Sequence, residues 1–123
     1  MKRTSARELA FKTIYSKFFN AEESEDLEIE DKEGLEFTSK ILQSFANNYN
    51  EINEIISSHL KGYTIERLFK IDLAIITLAV IELNFVKENP KEVIINDAVE
   101  LSKKYSTEKS PRFINGVLAD IVK

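Results

Sequence analysis

Apolar residues recur at helical spacing along almost the whole chain. Between residues 4 and 19, Ala6, Leu9, Ala10, Thr13 and Ile14 fall on one stripe, with Phe11, Tyr15 and Phe18 beside it. Thr4 or Ser5 is placed to cap this helix, and Glu8 would complete a capping box three residues after Ser5. Residues 34–48 repeat the period through Leu35, Phe37, Ile41, Leu42 and Phe45. Residues 49–61 continue it through Ile52, Ile55, Ile56 and Leu60, with Gly62 as the expected C-terminal stop. Asn89-Pro90 and Ser110-Pro111 are start signals, since proline is tolerated in a first helical turn. They introduce a helix over about 91–105, with Ile94, Ala98, Leu101 and Tyr105 on one face. A last helix then carries Phe113, Ile114, Val117, Leu118 and Ile121. Gly116 inside it costs about 1 kcal/mol relative to alanine, which suggests close approach of another backbone.

Residues 65–87 break the amphipathic pattern. From Ile71 to Val86 almost every position is apolar, interrupted by Asp72, Thr77, Glu82 and Asn84. A helix that is apolar all round belongs at the centre of a bundle. The carboxylates at 72 and 82 leave nine residues between them, against the roughly 20 that a membrane span needs, so no membrane is expected. The expectation is an all-α, compact bundle of six to seven helices, with Ile71–Val86 its least exposed segment.

Composition narrows the class. A chain of 123 residues suits one domain, 1–123, and three glycines with two prolines leave little material for a sandwich or barrel. Without cysteine there is no disulfide framework, thiolate metal site or thiol nucleophile, and one histidine supplies no zinc cluster. The first residues lack the apolar core of a signal peptide, so the cytoplasm is the expected location.

Charge is distributed unevenly. The chain is at −4 overall, yet residues 20–33 hold eight acids and one lysine, and the other 109 residues are at +3. That acidic stretch is expected to be a loop. Both chain ends are basic: Lys2, Arg3, Arg7, Lys12 and Lys17 at one, Lys103, Lys104, Lys109, Arg112 and Lys123 at the other. If the ends meet, they form a patch that attracts phosphates.

Catalysis finds no support, and no cofactor or metal is expected: there is no phosphate loop, metal-ligand spacing or nucleophile with a base. Asp72 and Glu82 lie ten residues apart, roughly 15 Å along a helix, too far to act on one bond. The reading is one interior hydrogen-bonded group and one at a partly exposed end. His59 falls near a helix C-terminus, where positive charge is welcome. Recognition is better supported. Arg3, Arg7, Phe11 and Tyr15 alternate cation and ring along the first helix, and Lys109-Ser110-Pro111-Arg112-Phe113 places cations beside a ring at a helix start. Single-stranded RNA is held by cations on phosphates and rings under bases. Phe11, Tyr15 and Phe113 fit either that role or the core.

Residues 90–105, with Ile94-Ile95-Asn96-Asp97-Ala98-Val99-Glu100-Leu101 at their centre, followed by Ser110-Pro111-Arg112-Phe113-Ile114-Asn115-Gly116-Val117-Leu118, resemble the C-terminal signature of the NusB family. Ala6-Arg7-Glu8-Leu9-Ala10 through Tyr15 is similar to the family's opening motif, and Arg67-Leu68, Ile71–Ile76 and Glu82-Leu83 to its central helix. The likeness spans nearly the whole chain. It implies two helical halves and a non-enzymatic transcription antitermination factor. The implied partners are boxA-type RNA of ribosomal RNA leaders, the ribosomal protein that acts as NusE, and the RNA polymerase antitermination complex. By position, Lys2, Arg3, Arg7, Tyr15, Lys109, Arg112, Phe113 and Asn115 should face RNA, and Glu66 and Asp72 the protein partner. Two departures stand out: Thr4 and Ser5 occupy positions where some members carry arginine, and Lys109 replaces an acid. The alternative is a helical interaction scaffold or homodimer without RNA binding.

Overall fold

A computed structural model describes residues 3–18 and 32–123. Among the described residues six α-helices follow one another: α1 (Arg3–Lys17), α2 (Lys32–Asn47), α3 (Tyr49–Ser58), α4 (Lys70–Ile81), α5 (Lys91–Tyr105) and α6 (Ser110–Ile121). A 3-10 turn, Ile65–Arg67, precedes α4, and a π turn, Glu82–Val86, follows it. The described residues contain no strand. Most of the acidic stretch, residues 20–31, lies outside them, as do Lys2 and the side chain of Arg3.

The centre of the bundle is α4. Every residue from Asp72 to Ile81 is buried, and the helix touches each of the other five. Its sequence has no polar face to offer water, so the neighbours must surround it. Leu83–Val86 and Ile71 are only half-buried, so the inaccessible segment is shorter than the apolar run. α1 and α2 pack on each other and on α4, while α5 and α6 form a second hairpin against it. The buried set includes Ala10, Phe11 and Ile14 of α1, Ile41 and Phe45 of α2, Ile52 and Ile56 of α3, and Ile114 and Leu118 of α6.

Several local expectations are corrected. Ser5 lies inside α1 rather than at its cap, and Glu8 pairs with Lys104 instead of closing a capping box. α3 ends at Ser58 with His59 as its cap, and Gly62 sits further on in a turn with φ of +80°, the left-handed conformation glycine adopts without strain. The residue before α5 is Pro90, in extended conformation, so proline precedes the helix instead of opening it. A side chain added at Gly116 would meet nothing within 4 Å. Gly116 is exposed, and no backbone approaches it. Nor do α1 and α6 lie side by side: α1 packs on α2 and α4, and α6 on α5, α4 and α3.

Candidate nucleic-acid interface

The corner where α5 turns into α6 is built on hydroxyl groups. Ser106 Oγ donates to Asp72 Oδ1 at 2.5 Å and lies 2.8 Å from Ser110 Oγ. The Ser110 hydroxyl accepts from the Thr107 N–H at 3.2 Å and contacts Thr107 Oγ1 at 2.9 Å. Asp72, in the first turn of α4, is 7% exposed, and an acid there complements the helix dipole. The network fastens the α5–α6 corner to the N-terminus of the central helix. It thereby fixes where Lys109 and Arg112 emerge. Asp72 is therefore buried beneath the corner, not displayed to a protein partner.

On α6 the exposed positions Arg112, Asn115, Gly116 and Ala119 form one strip, while Ser110, Ile114, Val117 and Leu118 face inward. Phe113 lies at the margin, half-buried, its ring 5.8 Å from that of Tyr63 at 71°. This edge-on geometry is favourable for aromatic pairs. Tyr63 itself is 56% exposed. Lys109, exposed just before the helix, adds a second cation at its N-terminus, where the helix dipole favours anions.

Across the corner lies a second group of cations and rings. Phe11 of α1 and Tyr105 of α5 have ring centroids 5.2 Å apart, and Lys12 and Lys104 lie 5.6 and 5.4 Å from the Tyr105 centroid. Lys104 Nζ donates to Glu8 Oε1 at 2.5 Å. This hydrogen bond is the main reason the Glu8 carboxyl is held below its usual range, and it raises Lys104 in turn. Tyr15 is half-buried, its ring 6.3 Å from Phe11. The four-residue link 106–109, which carries the exposed Glu108, joins this group to α6, so the exposed cations Lys12 and Lys104 lie before the corner and Lys109 and Arg112 after it.

Arg7 is not one of these exposed cations. It is 1% exposed, and its Nε donates to both oxygens of Glu82 at 3.0 and 2.8 Å, with Nη2 reaching Oε1 at 2.6 Å. Nη1 bonds Asp97 Oδ2 on α5, and the guanidinium lies 5.7 Å from the centre of the Phe37 ring on α2. The cation expected on phosphate is enclosed by α1, α2, α5 and the π turn. Glu82, only 2% exposed, is interior as well, so neither Asp72 nor Glu82 occupies the partly exposed helix end expected for one of them.

Of the expected site residues, Lys109, Arg112 and Asn115 therefore lie exposed at and along α6, with Phe113 at the margin. Arg7 turns inward, Tyr15 is flanking, and the side chains of Lys2 and Arg3 lie outside the described residues. Glu66, exposed on the 3-10 turn, borders a groove of about 920 Å³ between Phe18, Phe45, Tyr49 and Lys70. Sequence reasoning missed Tyr63 and the Lys104-Tyr105 pair. Both carried a signal: Tyr63 is an aromatic in a glycine turn with no helical stripe to join, and Lys104-Tyr105 repeats the cation-beside-ring pattern.

Fold and surface together define an all-helical bundle with a cationic, aromatic-rimmed corner. A family model described as the NusB family matches residues 4–123. The chain is 37% identical to the transcription antitermination protein NusB of Clostridium botulinum (strain Loch Maree / Type A3), over 99% of this chain and 100% of that one. It is 36% identical to the NusB of Finegoldia magna, over 100% and 95% respectively. Among solved structures, NusB of T. maritima superposes with a TM-score of 0.91 at 32% identity, covering 98% of this chain and 90% of that one. A chain from a complex of the antitermination factors NusB and NusE with dsRNA gives 0.87 at 32% identity, covering 97% and 94%. This chain belongs to the NusB family.

Proposed function

We propose that this chain is a transcription antitermination factor. It binds boxA-type RNA of ribosomal RNA leaders through the α5–α6 corner, together with the ribosomal protein that acts as NusE. The observation that carries the reading is the shared exposed face of Lys109, Arg112 and Asn115, with the Phe113 and Tyr63 rings at its edge. Cations there meet phosphates, and the rings offer stacking faces to bases outside a duplex. Antitermination, RNA and NusE enter from the relatives described above, one of which was solved with both NusE and dsRNA. The role is binding rather than catalysis, the location is the cytoplasm, and residues 1–123 act as one unit. Glu66, beside the Phe18–Tyr49 groove, is assigned to the protein partner.

Titration of boxA-type, scrambled and double-stranded RNA over a range of salt, with and without the ribosomal protein, tests the reading. Preference for unpaired boxA-type RNA, weakening steeply with salt, is expected. Equal affinity for all three RNAs, or binding indifferent to salt, would overturn it.

A further inference from the structure

His59 and Asp120 meet between the end of α3 and the last turn of α6, with Nδ1 and Oδ2 2.6 Å apart. The His59 hydrogen bond is the principal reason the Asp120 carboxyl sits below its ordinary range, with Lys61 and Lys123 adding to the effect. Four residues after His59, Tyr63 reaches the same helix at Phe113. Positions 113 and 120 are seven apart, two turns along one side of α6, so the turn between α3 and the 3-10 turn is fastened at two points about 10 Å apart. Among the described residues, these are the turn's only side-chain bonds or ring contacts to α6, with Leu60 packed on the core between them. Tyr63 lies next to Gly62, the residue with the freest backbone in the turn, and Lys61–Thr64 are all exposed.

We propose that His59 and Asp120 are a positioning pair, which fastens this turn to α6 and so holds the Tyr63 ring against Phe113 as a preformed stacking edge for an unpaired base. The ligand rests on the RNA reading above; the fastening does not. An exposed ring beside a glycine would otherwise have to be ordered on each binding event. A contact made in the free protein removes that cost.

The test combines two readouts. In the free protein, NMR cross-peaks between the Tyr63 and Phe113 rings are expected in the parent and lost in His59→Ala and Asp120→Ala, with cooperative melting retained. In titrations with boxA-type RNA, Tyr63→Ala is expected to weaken binding roughly fivefold to a hundredfold. Asp120→Ala should weaken it roughly two- to tenfold, the range for re-ordering one freed side chain. The pair acts through Tyr63, so Asp120→Ala should add nothing to Tyr63→Ala, and exchanging the two residues (His59→Asp with Asp120→His) should restore affinity. Should Asp120→Ala fail to fold, Asp120→Leu retains the approximate size without an acceptor and is read in the same two ways. Ring cross-peaks that persist in the single variants, or additive losses in the double variant, would overturn the proposal. If Arg112→Ala also left RNA binding untouched, the RNA reading and the ligand named here would fall, while the cross-peaks would still decide the fastening.

Discussion

Arg7 and Glu82 stand 75 residues apart in the chain and face each other through three hydrogen bonds in a site closed to solvent. The pair joins α1 to the π turn, where the helix widens by one residue and Lys87 N–H reaches back to the Glu82 carbonyl at 2.9 Å. Asp97 makes it a triad across α5. α1 and α5 thus meet through long polar side chains and the Phe11–Tyr105 rings, not through closely packed backbones.

Removing Glu82 takes three hydrogen bonds from the buried Arg7 guanidinium and leaves it Asp97, which is partly exposed. Glu82→Ala is expected to cost about 3–5 kcal/mol of stability, measured by urea unfolding. Arg7→Met combined with Glu82→Leu should recover most of that loss, because apolar groups of similar size need no partner. A double variant no more stable than Glu82→Ala would refute this account.

RNA binding separates the two arginines. Arg112→Ala should shallow the dependence of log affinity on log salt by about one, as one phosphate contact is lost. Arg7→Ala should leave the slope unchanged in whatever fraction remains folded, because Arg7 already faces Glu82 and Asp97. Titrations at several salt concentrations, each with a melting curve, distinguish these outcomes.

The hydroxyl corner gives a third expectation. Asp72→Ala deprives Ser106 of a charged acceptor within the protein, and hydrogen bonds to charged groups contribute about 1.5–3 kcal/mol. A loss of that order in chemical denaturation is expected, with RNA affinity falling as Lys109 and Arg112 lose their fixed positions. A fully stable Asp72→Ala variant would show that the corner is held by other means.

Acid stability follows from Glu8 and Asp120, both depressed in the folded state chiefly by hydrogen bonds, from Lys104 and His59 respectively. A depressed carboxyl stabilises the fold above its unfolded value and loses that contribution as pH falls through the folded one. The losses should therefore begin near the ordinary values of 4.5 for Glu8 and 3.8 for Asp120 and deepen below them. Both groups are solvent-accessible, so salt should blunt the effect. Glu8→Gln and Asp120→Asn should each flatten the acid limb of a stability–pH profile, and an unchanged limb would contradict this origin.

Gly116→Ala should raise stability by about 1 kcal/mol, since the position is helical, exposed and open. If it also weakens RNA binding, the bare backbone beside Arg112 and Asn115 is part of the contact surface. Thermal melts and RNA titration of the same variant provide both answers.

The helices were legible because apolar spacing is set by burial: the members of each stripe named from the sequence are buried or half-buried, except Leu35, which is 38% exposed. The all-apolar run marked α4 as central for the same reason. What periodicity cannot show is which polar residues are consumed inside. Arg7 shares the spacing of Phe11 and Tyr15, and the pattern alone could not reveal that Glu82 and Asp97 would neutralise it. Gly116 was misread because a glycine in a helix fits both close packing and an exposed bare strip. The pairs Tyr63–Phe113 and His59–Asp120 depend on how α3 approaches α6, a relationship between elements that no local pattern encodes.

The exposed cations Lys12, Lys104, Lys109 and Arg112 sit on a molecule whose total charge is negative, and this makes its electrostatics depend on distance. At about 0.01 M salt the screening length is roughly 30 Å, and an approaching polyanion senses the whole protein at −4. Near physiological salt it is about 8 Å, and the polyanion senses the corner alone. Long-range repulsion then fades over the same range in which local attraction weakens. The association rate should vary less with salt than that of a chain carrying the same corner without the acids of residues 20–33, and those acids should then suppress distant capture more than contact-range attraction.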